Sequence, residues 1–133
     1  MANEAKMVQR LQDRLSEVTV ASGVAILKGT VLKMSDPNTG AASSADGDIF
    51  AGIASVDKST DDGDVSTRLS VWTKGTFDMK CDGVGVTVGD RLKIGGANLI
   101  SVADVTTAAD FSEHFAIALQ TGAASEVIEV RLL

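Results

Sequence analysis

Gly29-Thr-Val-Leu-Lys-Met34 is echoed downstream by Gly89-Asp-Arg-Leu-Lys-Ile94, and Phe50-Ala-Gly-Ile-Ala54 by Phe115-Ala-Ile-Ala118. Each copy then passes through a polar turn into an alternating strand, Val65 to Trp72 in the first and Glu126 to Leu133 in the second. The same strand vocabulary in the same order predicts a duplicated all-β unit. Neither half could bury an apolar face alone, whereas two halves closed on each other share one core. The half-repeats span about 24–74 and 84–133 within a single β domain at 17–133, expected as a small compact β-barrel or β-tulip-like body.

The 133 residues fit one domain of ordinary size, with no room for a separate catalytic module. The hydrophobic fraction is 44%, but aromatics are 4% and Tyr is absent, so the core is built from Val, Ile, Leu and Ala. A domain of this size hides only about two-thirds of its unfolded surface. Burial against further copies or a partner would add to such a thin core, and oligomerisation is expected.

Net charge is −6, from 18 acidic against 12 basic residues, and no Lys/Arg block or aromatic platform tracks a phosphate backbone. No nucleic-acid partner is expected. Cys81 is the single cysteine, which excludes an internal disulfide. It shares one face of an alternating run with Phe77 and Met79, the pattern of a buried inert thiol. Met1-Ala-Asn-Glu-Ala-Lys6 has neither an apolar h-region nor a cleavage pattern, and no apolar run approaches membrane-spanning length. A cytosol-like compartment with no membrane partner is the expectation.

Met7, Leu11, Leu15 and Val18 recur at roughly helical spacing, but so short a helix is marginal and Val18-Thr-Val20 favours a strand. Residues 1–16 are therefore expected to form an extended N-terminal arm. Val31 to Met34 reads as a strand stopped by the turn Asp36-Pro-Asn-Thr-Gly40, and Ala41 to Asp48 as a loop before the strand Ile49 to Val56. Leu69 and Val71 alternate with Arg68, Ser70 and Trp72. Phe77, Met79 and Cys81 alternate with Thr76, Asp78 and Lys80, and Gly75 marks a bend between the two runs. Val84, Val86 and Val88 continue the alternation, Gly95-Gly-Ala-Asn98 is a hairpin turn, and Val102 to Glu113 reads as an inserted loop, with one short helical turn as the alternative.

Four features invite a chemical reading. Asp57, Asp61, Asp62 and Asp64 cluster as Ca²⁺ ligands can, but the order lacks the Asp-x-Asp-x-Asp-Gly run and the later bidentate Glu of an EF-hand, so a solvated turn is expected and no metal. His114 is alone, with no second His or Cys to complete a zinc shell and no placed nucleophile, which leaves no catalytic residue to assign. Asp78-Met-Lys-Cys81 is a little like the lysine hairpin of biotinyl or lipoyl carriers. Lys80 lies mid-strand rather than at a turn tip, however, so no cofactor is expected. The glycines of Gly83-Val-Gly-Val-Thr-Val-Gly89 fail the dinucleotide spacing and mark turns instead.

The order Gly29 to Asp36, Phe50 to Ala54, Val71-Trp-Thr-Lys-Gly-Thr-Phe-Asp-Met79, Val88-Gly-Asp-Arg-Leu-Lys-Ile-Gly-Gly96 and Ala116-Ile-Ala-Leu119 resembles the capsid cement, or head decoration, proteins of tailed bacteriophages. The resemblance runs from about Val18 to Leu133. It implies a non-enzymatic virion protein, assembled in the host cytoplasm and bound to the outer surface of the expanded capsid, with the major capsid protein as partner and a homotrimer as the working form. The arm residues Met7, Val8, Arg10, Leu11 and Leu15 are the expected capsid contacts, because exposed apolar side chains on a polar segment suit folding on binding. A tail or head-fibre component is the nearest alternative, followed by a carbohydrate-binding module using Trp72 and by a carrier module using Lys80.

Overall fold

Strand alternation in this chain resolves into two closed barrels of five strands each, in a computed structural model that describes residues 15–59 and 67–133. The first barrel contains β1 (Leu15–Thr19), β2 (Val31–Asp36), β3 (Thr39–Ala42), β4 (Phe50–Ala54) and β5 (Arg68–Trp72). The second contains β6 (Thr76–Cys81), β7 (Arg91–Gly96), β8 (Leu99–Val102), β9 (Ala116–Ala118) and β10 (Val127–Leu132). A short helix, α1 (Ala108–Glu113), precedes β9. The neighbour order is β1-β3-β2-β4-β5 in one barrel and β6-β8-β7-β9-β10 in the other, each ring closed through its first and last strands. The all-β expectation holds, and the expected barrel is a pair.

The duplication extends to individual hydrogen bonds. Gly29 N–H donates to Ala54 O at 2.8 Å, as Gly89 N–H does to Ala118 O. Ser43 N–H donates to Val31 O, as Ala103 N–H does to Arg91 O. The partners lie 60 positions apart at Ser43 and Ala103 but 64 apart at Ala54 and Ala118, so the second copy has a connection four residues longer, and α1 is folded from it. Thr107 caps α1 by accepting from Asp110 N–H, which secures an element too short to persist alone.

Alternation sets the two barrel interiors. Leu69 and Val71 turn inward from β5, and Ile128, Val130 and Leu132 turn inward from β10. Small residues are needed where the rings are tight: at Gly52, φ is +149° and an added Cβ would stand 2.7 Å from Val71 Cγ2. The hairpin turns Pro37-Asn38 and Ala97-Asn98 each place an asparagine in the left-handed region, at φ 54° and 56°.

Several sequence expectations are corrected. Each structural copy begins one strand earlier than its sequence echo, at β1 and β6, because the pairing partners of those strands lie downstream and leave no local mark. Leu15 and Ser16, expected in the arm, open β1 opposite Trp72 and Val71. Ala41 and Ala42 belong to β3 rather than to a loop. Val84, Val86 and Val88 do not continue β6: Asp82 Oδ1 accepts from the N–H groups of Val84 and Gly85, turning the chain, and Val84 is 85% exposed. Part of the expected loop 102–113 is α1.

Candidate interaction surface at the barrel seam

The two barrels meet through one face of each. On the first barrel Val31, Ile53 and Trp72 sit side by side on β2, β4 and β5, with Val31 opposite Ile53 and Ile53 opposite Trp72. Val31 and Ile53 are buried in the same apolar cluster as Met79, Leu92, Ile94 and Phe115 of the second barrel, and Trp72 packs on it. Phe50 and Phe115 stack across the seam with ring centroids 4.2 Å apart and planes at 12°. The first barrel keeps a separate interior of Val18, Val20, Leu32, Leu69 and Val71.

Polar groups fix the register of this contact. Val31 N–H donates to Asn98 Oδ1 at 2.8 Å, and Asn98 N–H donates to Ser43 Oγ at 3.0 Å. Gly47 N–H donates to Ile94 O at 2.9 Å, beside an isolated bridge between Asp46 and Gly95. Lys93 Nζ lies 3.1 Å from Asp110 Oδ1 and 3.4 Å from Asp46 Oδ1, tying α1 and the first barrel to β7. The Asp110 hydrogen bond, opposed by partial burial and assisted by the Asp46 charge, raises the Lys93 ammonium above its ordinary value. Asp110 is lowered in turn by the Asp104 backbone N–H and by Lys93. Burial pushes Asp48 up, but hydrogen bonds from the Ser44 and Ala45 N–H groups and the Lys33 charge leave it below its ordinary value.

Clefts open along the seam, two of them lined in part by aromatic side chains. One, of about 350 Å³, is lined by Ile49, Phe50, Thr73, Glu113, His114 and Phe115 among others. The other, of about 250 Å³, lies between Gly29, Val31 and Ile53 of the first barrel and Phe77, Met79 and Asn98 of the second. The first cleft is also lined by the Ser112 hydroxyl, but Ser112 Oγ donates to Ala109 O within α1. His114 caps the C-terminus of α1, with Nδ1 against Phe111 O. Among the described residues no group of three His, Cys, Asp or Glu side chains could hold a metal ion.

The sequence-predicted residues separate as follows. Met7, Val8, Arg10 and Leu11 lie outside the described residues, and Leu15 is described only as the first residue of β1. Asp61, Asp62 and Asp64 also lie outside them, while Asp57 Oδ1 accepts from Lys28 N–H at 2.6 Å. Trp72, considered as a sugar platform, is half-buried and packs on the seam cluster. Lys80 projects from the middle of β6 to solvent. Cys81 is fully buried, and burial, then the charges of Asp82 and Glu126, push its thiol up. Sequence reasoning missed Ser43, Asp46, Lys93 and Asn98 as seam residues. The one legible signal is that Val31-Leu32 is apolar on both faces where Arg91-Leu92 is not.

No family model and no curated protein matches the chain. Among solved structures, the fold is similar to that of the head fiber gp8.5 N base in bacteriophage phi29, with a TM-score of 0.57 and 16% identity over 90% of this chain and 94% of that one. The likeness therefore includes both barrels, and at this identity it speaks for the fold.

Proposed function

We propose that this chain is a structural virion protein of a tailed bacteriophage, bound as a homotrimer to the outer surface of the expanded capsid, where it stabilises the shell. The observation that carries the reading is the two-barrel fold shared nearly end to end with a phage head-fibre base. The residue order that resembles capsid decoration proteins points to the same side of the head. Packaged DNA strains shell contacts, and a trimer bridging several shell subunits adds burial that must be broken before they part. Its contacts reinforce one another because each re-forms at high effective concentration while its neighbours hold. The arm carrying Met7, Val8, Arg10 and Leu11 supplies the shell-facing contact, and the partner is the major capsid protein.

A second reading, the base of a head fibre rather than a stand-alone cement, is favoured by the nature of the solved neighbour. Both are tested by co-sedimenting the purified protein with expanded and unexpanded capsids of the parent virus. Saturable binding to expanded shells alone is the expected outcome. Binding to neither form would remove the head from consideration and leave a tail component.

A further inference from the structure

The seam inside the chain has a counterpart on its outside. In the first barrel the row Val31, Ile53, Trp72 faces the second barrel. Matched pairing places Arg91 opposite Ile117 and Ile117 opposite Arg131 in the second barrel, so Arg91, Ile117 and Arg131 form the equivalent row. Arg91 and Arg131 are exposed and Ile117 is half-buried. The receiving side is duplicated too. Asn98, which takes the Val31 N–H, corresponds to Asn38, at the same place in the β2–β3 turn and with nearly the same φ. Asn38 is exposed, beside exposed Asp36 and Met34.

The two barrels thus use different faces on each other, and among the described residues each leaves unused the face that its twin uses. A contact between unlike faces is head-to-tail, and repetition of such a contact generates a ring when the rotation closes. We propose that a second copy of this chain docks its first barrel on the Arg91, Ile117, Arg131 row, repeating the internal seam between molecules. Asn38 of one molecule then accepts from the Arg91 amide of the next, and Asp36 pairs with the Arg91 guanidinium. The connection carrying Ser43, Asp46 and Gly47 across the internal seam has as its counterpart the longer one that contains α1. That connection exposes Val105 and Phe111 and brings them toward Met34 of the next molecule. The inference rests on the proposed trimer only for the number of copies, three chains making a ring of six barrels.

Divergence between the copies sets the character of the two contacts. Val31 and Trp72 make the internal seam apolar and permanent, whereas Arg91 and Arg131 make the outer one charged and separable. Such a contact weakens as salt is added.

The test is the mass of the full chain in solution across concentration and salt, by sedimentation equilibrium, for the wild type, Arg91→Asp, Asp36→Arg and the double exchange. Reversible self-association that weakens with salt is expected. Each single variant should weaken it by about tenfold or more, and the double exchange should restore it, since the opposite charges face each other again. A wild-type monomer at every concentration, association indifferent to either single change, or no recovery in the double exchange would overturn the proposal. All four proteins should share one circular dichroism spectrum, because the changed residues are exposed. No capsid is present in the assay, so its failure and a failure of shell binding are separate results.

Discussion

Asn98 and Asn38 occupy the same turn in the two copies and do different things. The Asn98 side chain accepts the Val31 amide across the seam, whereas Asn38 stands exposed. Glycine keeps the positive φ at both positions while removing the amide. Asn98→Gly should therefore cost about 1–3 kcal/mol by leaving the Val31 N–H without its acceptor, and Asn38→Gly should change the monomer by less than about 0.5 kcal/mol. Urea unfolding of both variants at low protein concentration measures the difference; equal losses would mean that the seam bond contributes nothing. The turn was legible in Gly95-Gly-Ala-Asn98, because glycine and asparagine mark positive φ. The bond was not, because donor and acceptor are 67 positions apart and nothing local in either stretch refers to the other.

At the scale of elements, β1 is the strand whose reading was hardest. Leu15-Ser-Glu-Val-Thr19 lacks a clean alternation, and its pairing with β5 joins residues far apart in the chain, from Thr19 with Arg68 to Leu15 with Trp72. It completes the first barrel by bonding to β5 on one side and β3 on the other. Removing residues 1–14 should leave that barrel intact and abolish shell binding, while removing residues 1–19 should unfold it, since β3 and β5 would lose their shared neighbour. Circular dichroism together with capsid co-sedimentation separates the two effects. A 1–14 deletion that still decorates shells would place the contact on the barrels. β5 and β6 were legible from their period of two and β4 as a short apolar run, whereas α1 was legible only as the lesser alternative to a loop. Its sequence Ala-Ala-Asp-Phe-Ser-Glu has no apolar stripe, and it forms because Thr107 caps it and Lys93 holds Asp110.

At the scale of the whole molecule, carboxylates held within each copy, together with Lys93 at the seam, make stability depend on pH at both ends. Asp48 and Asp110 are lowered, so their contribution is complete above the ordinary carboxylate value of 3.8 and is lost as pH falls through their folded values. Lys93 is raised, so its contribution is complete below 10.5 and disappears as pH rises beyond that. Urea unfolding between these limits should be level with respect to these groups. Asp110→Asn should flatten the acid limb relative to wild type, and parallel curves for the two proteins would rule out a role for this group. Duplication was legible in the paired echoes, but the existence of two rings was not, because a repeat reads the same whether its halves share one barrel or close separately. What distinguished them lies in pairs such as Val31-Leu32, apolar toward both its own barrel and its neighbour. Closure itself has a consequence in time. Each ring contains one parallel joint, between its first and third strands, which in the first barrel pairs Thr19 with Thr39 alone and adds the bond from Thr19 N–H to Asn38 O. The amides beside that joint should be the earliest in the barrel to exchange with solvent deuterium, and its formation the last event as the ring folds.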